Sequence, residues 1–249
     1  MLKQTVRRAQ SLFSFRSAKP YPLAKLPPHV ERMLHTVRER RLTYLGEKRL
    51  NLLAATCVEI QQGQIPGRII EVGCALGGSS VLLASAKSPQ RRLAVYDVFG
   101  MIPPPSKRDG ADVTKRYDVI RRGESKGIGG KPYYGYVENL YEKVKDTFAE
   151  LGYPLAEHHV SLVKGLIEET LEVTGPVALA HIDCDWYEPV SVALKRIEPY
   201  LSAGGSIIVD DYADWSGCRG AVDEYFAGKD RSGYEFDDRA GSLKITKLG

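Results

Sequence analysis

Hydrophobic positions along this chain follow two periods, which predict alternating helices and strands. Between residues 29 and 62 they fall at helical spacing, and a break around Gly46 predicts two helices before the first strand. Further on, short apolar runs typical of buried strands alternate with helical patterns; the predicted strands are 68–73, 92–97, 159–163, 177–182 and 206–209. The predicted helices between and after them are 79–86, 137–151, 166–172, 188–200 and 217–227. This alternation predicts an α/β fold with a mostly parallel central sheet and helices on both faces, and the segments near 233–237 and 242–247 predict an antiparallel C-terminal edge.

The first predicted strand runs into a glycine-rich turn that suits a nucleotide-like ligand. Gly73 is expected where the backbone passes close to a ligand, while Gly77 and Gly78 allow close approach of the next helix, which opens with Ser79 and Ser80. The glycines are spaced GxxxGG and not GxGxxG, and the carboxylate of Glu71 lies just upstream. This arrangement favours a cationic or hydroxyl-rich ligand over a phosphate. An ordinary glycine-rich turn without a ligand is the alternative.

A second acid follows the next predicted strand. Asp97 ends the apolar run 92–97, where a carboxylate can accept both hydroxyls of a ribose. Glu71, the glycines and Asp97 together resemble the cofactor site of class I S-adenosylmethionine-dependent methyltransferases, whose ligand carries an ammonium, a sulfonium and a ribose but no phosphate. The resemblance implies a Rossmann-like class I methyltransferase fold and S-adenosyl-L-methionine as cosubstrate.

Two later strands end in paired acids. Because the carboxyl ends of parallel strands face one crevice, we expect Asp183, Asp210 and Asp211 to converge. Clustered carboxylates repel unless a cation holds them, and Mg²⁺ prefers such oxygen ligands. Asp183 is also a candidate general base for a metal-bound hydroxyl. His181 points by alternation to the same face and is a second candidate for proton transfer, with a packing histidine as the alternative. The acids of both pairs alternatively cap helices or face solvent.

The order of these motifs resembles the macrocin O-methyltransferase family, which methylates sugar hydroxyls with the help of a metal. The resemblance rests on Asp183–Glu188, Gly204-Gly205 and Asp210–Tyr212, and extends from about Thr43 to Phe226. It implies metal binding by Asp183, Asp210 and Asp211, and closure over the cofactor by Thr43 and Tyr44. The implied acceptor is a sugar hydroxyl of a natural-product glycoside or polysaccharide precursor. A catechol-type small molecule and a non-catalytic binding or assembly module remain alternatives.

The segment 99–136 departs from the family pattern. It is rich in glycine, proline and charge, and it contains Tyr133, Tyr134 and Tyr136. Long irregular segments in compact domains are usually functional or disordered, and disordered ones are poor in aromatic residues. We therefore predict a lid-like insertion facing the substrate; a plain insertion or a subunit contact is the alternative. Trp186 also departs from the family pattern, which leaves the acceptor open.

Composition adds limits to this picture. The 249 residues, 43% hydrophobic and 27% charged, suit one methyltransferase domain at 42–249 behind a basic extension and helix at 1–41. The extension is interpreted as a solvated tail, or as an arm that binds anionic lipid or another subunit. A net charge of +4 does not demand nucleic acid as a partner.

Four cysteines without a CxxC pair suggest neither zinc nor disulfides. The sequence lacks a membrane-spanning run and a signal-peptide core, so a cytoplasmic location is expected, and the extra N-terminal helices predict a homodimer.

Overall fold

The computed structural model describes residues 21–249, so half of the basic residues of the predicted extension lie outside the described residues. The helices are α1 (Pro28–Glu39), α2 (Glu47–Gln62), α3 (Gly78–Ala86), α4 (Ala111–Arg121), α5 (Leu140–Glu150), α6 (Ile167–Thr170), α7 (Tyr187–Ile197) and α8 (Ser216–Ala227). The strands are β1 (Arg68–Val72), β2 (Leu93–Asp97), β3 (Val160–Lys164), β4 (Val177–Ile182), β5 (Leu201–Val209), β6 (Tyr234–Asp237) and β7 (Leu243–Lys247).

The strands form a seven-stranded sheet in the order β3-β2-β1-β4-β5-β7-β6. The first five strands are parallel, and β7 runs antiparallel to both β5 and β6. This confirms the predicted parallel sheet with an antiparallel C-terminal edge. The strand order reverses between β1 and β4, and ligands of open α/β sheets bind in the crevice beyond the carboxyl ends at such a point.

Helices cover both faces of the sheet, as predicted. Ile69 belongs to the core beneath α1, α2, α3 and α5, whereas its neighbour Ile70 belongs to the core beneath α6, α7 and α8. Successive side chains of a strand point to opposite faces, so β1 is buried on both sides. Val30 and Val37 of α1 lie in the first of these cores. The extension predicted at 1–41 thus contributes a helix to the common core.

The segment 99–136 is less irregular than predicted, because it contains α4. Val113, Tyr117 and Ile120 recur at helical spacing and pack in a small third cluster, which also includes Ile102, Tyr133 and Trp186. The surrounding glycines and charges obscured this short apolar stripe in the sequence. The prediction of an irregular segment was wrong over 111–121.

The strand β5 begins earlier than predicted. Residues 201–205 lie between the predicted helix 188–200 and the predicted strand 206–209, yet they belong to β5, and Leu201 pairs with Val177. The register between β4 and β5 shifts between Val177 and Leu179, so the extra residues of β5 fit as an irregularity in the ladder.

No helix within residues 21–249 has the length and apolar character needed to span a bilayer. The cytoplasmic location and the homodimer stay predictions. The four cysteines are free, and Cys57, Cys74 and Cys218 are buried.

Candidate active site

The turn after β1 is held against β4 at Gly73. This residue has φ +87°, and a Cβ built on it would lie 1.9 Å from the carbonyl oxygen of Asp183. A side chain at this position is therefore excluded both by backbone conformation and by contact. The N–H of Asp183 donates to the carbonyl of Val72 at 2.8 Å, which fixes the start of the acidic segment beside the turn.

The two later glycines of the turn allow close packing against other parts of the chain. A Cβ on Gly77 would lie 2.9 Å from a methyl carbon of Val144 in α5, and one on Gly78 would lie 2.5 Å from the carbonyl oxygen of Leu42. The N–H of Gly78 donates to that same carbonyl at 3.0 Å. These glycines therefore bring α5 and the segment before α2 onto the turn, as expected for glycines that permit close approach.

Asp97 links the end of β2 to the same turn. Its Oδ2 accepts from the N–H groups of Cys74 at 2.7 Å and Ala75 at 3.3 Å, and its Oδ1 accepts from the N–H of Phe99 at 2.7 Å. Burial raises the pKa of Asp97 above its usual value, while these N–H groups lower it. A carboxylate has about four acceptor sites and these N–H groups occupy three, so Asp97 Oδ1 can still accept a hydrogen bond from a ligand.

Glu71, Ser80 and His181 form a buried group beneath the cleft. The Ser80 hydroxyl donates to Glu71 Oε2, and Glu71 Oε1 lies 2.9 Å from His181 Nδ1. Burial lowers the pKa of His181, but the hydrogen bond and charge of Glu71 outweigh this and raise it to about 9. None of the three side chains borders the two cavities described below. The structure thus places these predicted site residues behind the cleft wall.

The predicted convergence of carboxylates is confirmed. One oxygen from each of Asp183, Asp210 and Asp211 lies within 4.8 Å of the others. Burial raises the pKa of Asp183 and Asp211 well above the usual value, and the neighbouring aspartates raise both further. Grouped carboxylates of this kind are the ligand set that a hard divalent cation prefers.

Arg49 of α2 is a site residue that sequence reasoning missed. Its Nη1 donates to Asp210 Oδ2 and its Nη2 to Asp214 Oδ2, both at 2.7 Å. The Ser242 hydroxyl donates to Asp210 Oδ1 at 2.6 Å, so both oxygens of Asp210 are fixed in place. The sequence carries no local signal for this contact, since 161 residues separate Arg49 from Asp210.

Asp185 is a further carboxylate at the site, to which sequence reasoning assigned no role. Its N–H donates to Asp211 Oδ2 at 3.2 Å, and its φ is +56°. Burial, followed by the negative charge of Asp210, raises the pKa of Asp185 to about 6. The paired acids in Asp183–Asp185 were the signal that could have identified it.

Two adjoining cavities form the cleft. The apolar cavity, of about 380 Å³, is bordered by Ile102, Pro103, Leu166, Ile167 and Pro189. The acidic cavity, of about 260 Å³, is bordered by Thr43, Tyr44, Arg49, Ser79, Arg116, Asp210 and Asp211. The residues that border both are Gly73, Asp97, Tyr134, Asp183, Asp185 and Trp186. The shared wall is thus the switch point of the sheet, where the predicted cofactor and metal residues meet.

The insertion at 99–136 forms a wall of both cavities. Tyr133 and Tyr134 have ring centroids 4.4 Å apart, and their rings lie 6.5 and 5.8 Å from that of Tyr44. Trp186 donates from its indole nitrogen to the carbonyl oxygen of Pro103 at 3.0 Å. This placement is the one that a substrate-facing lid requires, and lid movement stays a prediction.

Comparison with known sequences identifies the family. The sequence model of the macrocin O-methyltransferase (TylF) family matches residues 36–232. The chain belongs to this family. As a macrocin O-methyltransferase family member it is an O-methyltransferase, which confirms the predicted family and enzyme class and sets aside a purely non-catalytic module.

Two O-methyltransferases from Streptomyces are similar to this macrocin O-methyltransferase family member. The chain is 32% identical over 189 residues, 74% of its length and 67% of the relative, to an 8-demethyl-8-(2,3-dimethoxy-alpha-L-rhamnosyl)-tetracenomycin-C 4'-O-methyltransferase of Streptomyces olivaceus. It is 29% identical over 192 residues, 74% of its length and 68% of the relative, to the demethyldecarbamoylnovobiocin O-methyltransferase of Streptomyces niveus.

A solved structure of the O-methyltransferase NovP shares the fold. Its TM-score to this chain is 0.72 at 24% identity, with coverage of 88% of this chain and 97% of the other. Together with the strand order, this confirms the predicted Rossmann-like class I fold of S-adenosylmethionine-dependent methyltransferases.

Proposed function

We propose that this protein transfers the methyl group of S-adenosyl-L-methionine to a sugar hydroxyl, on a natural-product glycoside or polysaccharide precursor, with Mg²⁺ bound. The observation that carries this proposal is the meeting of Asp183, Asp210 and Asp211 on the wall next to Gly73 and Asp97. A methyl acceptor held by the carboxylates would lie next to a cofactor held by the turn. The Streptomyces olivaceus relative is named as a methyltransferase of a rhamnosyl-bearing tetracenomycin, which supports a sugar acceptor.

The two cavities suit the two halves of the cofactor. The apolar walls at Ile102, Leu166 and Ile167 fit an adenine ring, and Asp97 borders both cavities where the ribose hydroxyls would be accepted. Thr43, Tyr44 and Ser79 line the acidic cavity and are proposed to contact the methionine part. Glu71, Gly77, Gly78 and Ser80 are proposed to act by shaping the turn.

Asp183, Asp210 and Asp211 are proposed to hold Mg²⁺. The fit rests on the donors themselves, since the three carboxylates lie close together and the pKa values of Asp183 and Asp211 are raised by burial and by the charge of Asp210. When bound, the cation would lower the pKa of a coordinated sugar hydroxyl. Arg49 and Ser242 hold Asp210 in position for this role.

The chemical step needs a base, and the chain offers two carboxylates. Asp183 is the proposed base: it accepts the proton of the acceptor hydroxyl as the oxygen–methyl bond forms and the sulfur–methyl bond breaks, which leaves a neutral thioether. Asp185 also borders both cavities and is the second carboxylate within the cleft. His181 lies behind the cleft wall, beside Glu71. Its proposed role is therefore to position Asp183, which lies two residues further along the chain, directly after β4.

Calorimetry and a substrate screen test the proposal. We expect S-adenosylhomocysteine to bind the wild type in the micromolar range, followed by a separate Mg²⁺ signal that Asp210→Asn abolishes. The control Asp146→Asn changes an exposed aspartate of α5 and should leave both signals unchanged. Absence of cofactor binding overturns the proposed function. Turnover with catechols alone, and with no sugar diol, replaces the sugar acceptor by the catechol alternative.

A further inference from the structure

Arg116 is a guanidinium in the acidic cavity for which the structure shows no acidic partner. Of the two arginines that border this cavity, Arg49 is bound by Asp210 and Asp214. Arg116, in contrast, makes no ion pair with any residue of 21–249. Asp185 borders the same cavity, and the Arg116 charge partly opposes the rise in its pKa, but the two side chains do not form an ion pair. The cation is therefore available to a ligand.

The surroundings of Arg116 hold it at the cavity wall. Its Cζ lies 5.5 Å from the ring centroid of Tyr133, which is only 3% exposed. The helix α4 that carries Arg116 is anchored by Val113 and Ile120 in the third core cluster. The Tyr136 hydroxyl donates to the carbonyl oxygen of Ile120 at 2.6 Å and so joins the tyrosine segment to the end of α4. The guanidinium is thus positioned before any ligand arrives.

The chemistry of this position favours an oxyanion. A guanidinium presents a planar set of N–H donors that matches a phosphate or carboxylate with two parallel hydrogen bonds. The carboxylates of Asp183, Asp210 and Asp211 line the same cavity and suit a cation-bound diol. The part of this cavity beside the carboxylates and Arg116 suits a sugar ring that carries a negative substituent, while Thr43, Tyr44 and Ser79 border the part proposed for the methionine end of the cofactor.

We infer that Arg116 binds an anionic group carried by the sugar acceptor, either a phosphate on the anomeric carbon or a carboxylate on the ring. The inference rests on the proposed function and deepens it, because it assigns the acceptor to the anionic sugars. Arg116 is then a specificity-determining residue supplied by the insertion.

Binding of three glucose derivatives to the full chain saturated with S-adenosylhomocysteine and Mg²⁺ tests the inference. UDP-glucose carries a diphosphate, methyl glucuronide a carboxylate, and methyl glucoside no charge. We expect the wild type to bind at least one anionic derivative more tightly than methyl glucoside. Arg116→Gln should weaken that binding about tenfold or more, as for a lost hydrogen bond to a charged group, and Arg116→Lys should weaken it less. Which of the two derivatives is preferred distinguishes the phosphate from the carboxylate.

Lys115→Gln is the matched control, because it removes the same charge from an exposed neighbour on α4. It should leave all binding constants unchanged. The inference is overturned if charged and neutral derivatives bind equally well, or if neither anionic derivative binds. It is also overturned if Arg116→Gln leaves the affinity for the anionic derivatives unchanged. A loss of S-adenosylhomocysteine affinity in Arg116→Gln also overturns it, since Arg116 would then serve the cofactor carboxylate. If the wild type does not bind S-adenosylhomocysteine, the proposed function is overturned as well. If it binds S-adenosylhomocysteine but the sugar derivatives give one of the contrary results, only the inference about Arg116 is overturned.

Discussion

Glu71 and His181 face each other from adjacent parallel strands, with 2.9 Å between Oε1 and Nδ1 and no solvent exposure of either side chain. This pair lies directly beneath the segment that carries Asp183. A buried ion pair often stabilises a protein no more than apolar residues of similar volume would. Removal of one partner, however, leaves the other charge buried and uncompensated.

Glu71→Gln is therefore expected to destabilise the protein by about 3–5 kcal/mol, the usual effect of breaking a buried pair on one side. Denaturant unfolding measures this change. In a double-mutant cycle with His181→Gln, the double variant should lose less stability than the two single losses added together. Additive losses would show that the two side chains do not stabilise each other.

Gly73→Ala is expected to disrupt the turn. The new Cβ would lie 1.9 Å from the Asp183 carbonyl oxygen, in a backbone with φ +87°. Gly123→Ala provides the control, because Gly123 has φ +76° and no atom within 4 Å of the added Cβ. Gly123→Ala should cost about 1–2 kcal/mol for backbone strain alone, and Gly73→Ala about 1–3 kcal/mol more from overpacking. Thermal or denaturant unfolding compares the two; similar losses would refute the close contact. Gly73→Ala should also abolish S-adenosylhomocysteine binding.

Glu198 is expected to stabilise the protein at neutral pH and to lose this effect in acid. Burial raises its pKa, but Lys229, Tyr234 and Tyr225, which donate to its carboxylate, outweigh burial and lower the pKa below the usual 4.5. The folded state therefore binds its proton less readily than the unfolded state, so the stabilisation is present above about pH 4.5 and declines as the pH falls through the lower, folded pKa.

Glu198→Gln tests this pH dependence. At pH 7 the variant should unfold about 1–3 kcal/mol more easily than the wild type, because hydrogen bonds to a charged acceptor are lost. Urea unfolding at a series of pH values should show this difference shrinking as the pH falls below the usual range for glutamate. A difference that stays constant with pH would contradict the role of the Glu198 charge.

Arg49→Gln is expected to make the stability of the protein more dependent on Mg²⁺. The variant removes the Arg49 guanidinium, which pairs with Asp210 and Asp214. The cluster of aspartates then carries more net negative charge and attracts a divalent ion more strongly. Added Mg²⁺ should raise the unfolding temperature of Arg49→Gln by more than that of the wild type, since a ligand of the folded state stabilises it in proportion to its binding. Arg38→Gln, which breaks an exposed pair with Glu47, is the control and should respond as the wild type does. An equal response of all three proteins would argue against a metal at Asp210.

Much of the fold followed from local pattern. The apolar runs that end at Asp97, Asp183 and Asp210 marked strands whose carboxyl ends share one edge, so the convergence of acids was predictable before any packing was known. The helix α4 was missed because the three positions that pack in the third cluster, Val113, Tyr117 and Ile120, lie among charged residues in a segment rich in glycine.

The sequence by itself determined the order of the strands and of the helices other than α4, the glycine turn and the acids at the strand ends, since hydrophobic period and turn chemistry are properties of neighbouring residues. Only the tertiary structure decided that Glu71 and His181 pair behind the wall, that Arg49 holds Asp210, and that Arg116 lies beside Tyr133 without an ion pair among residues 21–249. These relationships join residues far apart in the chain, 110 positions for the first pair and 161 for the second. Their distances depend on how whole helices and strands pack, and no local period encodes that packing.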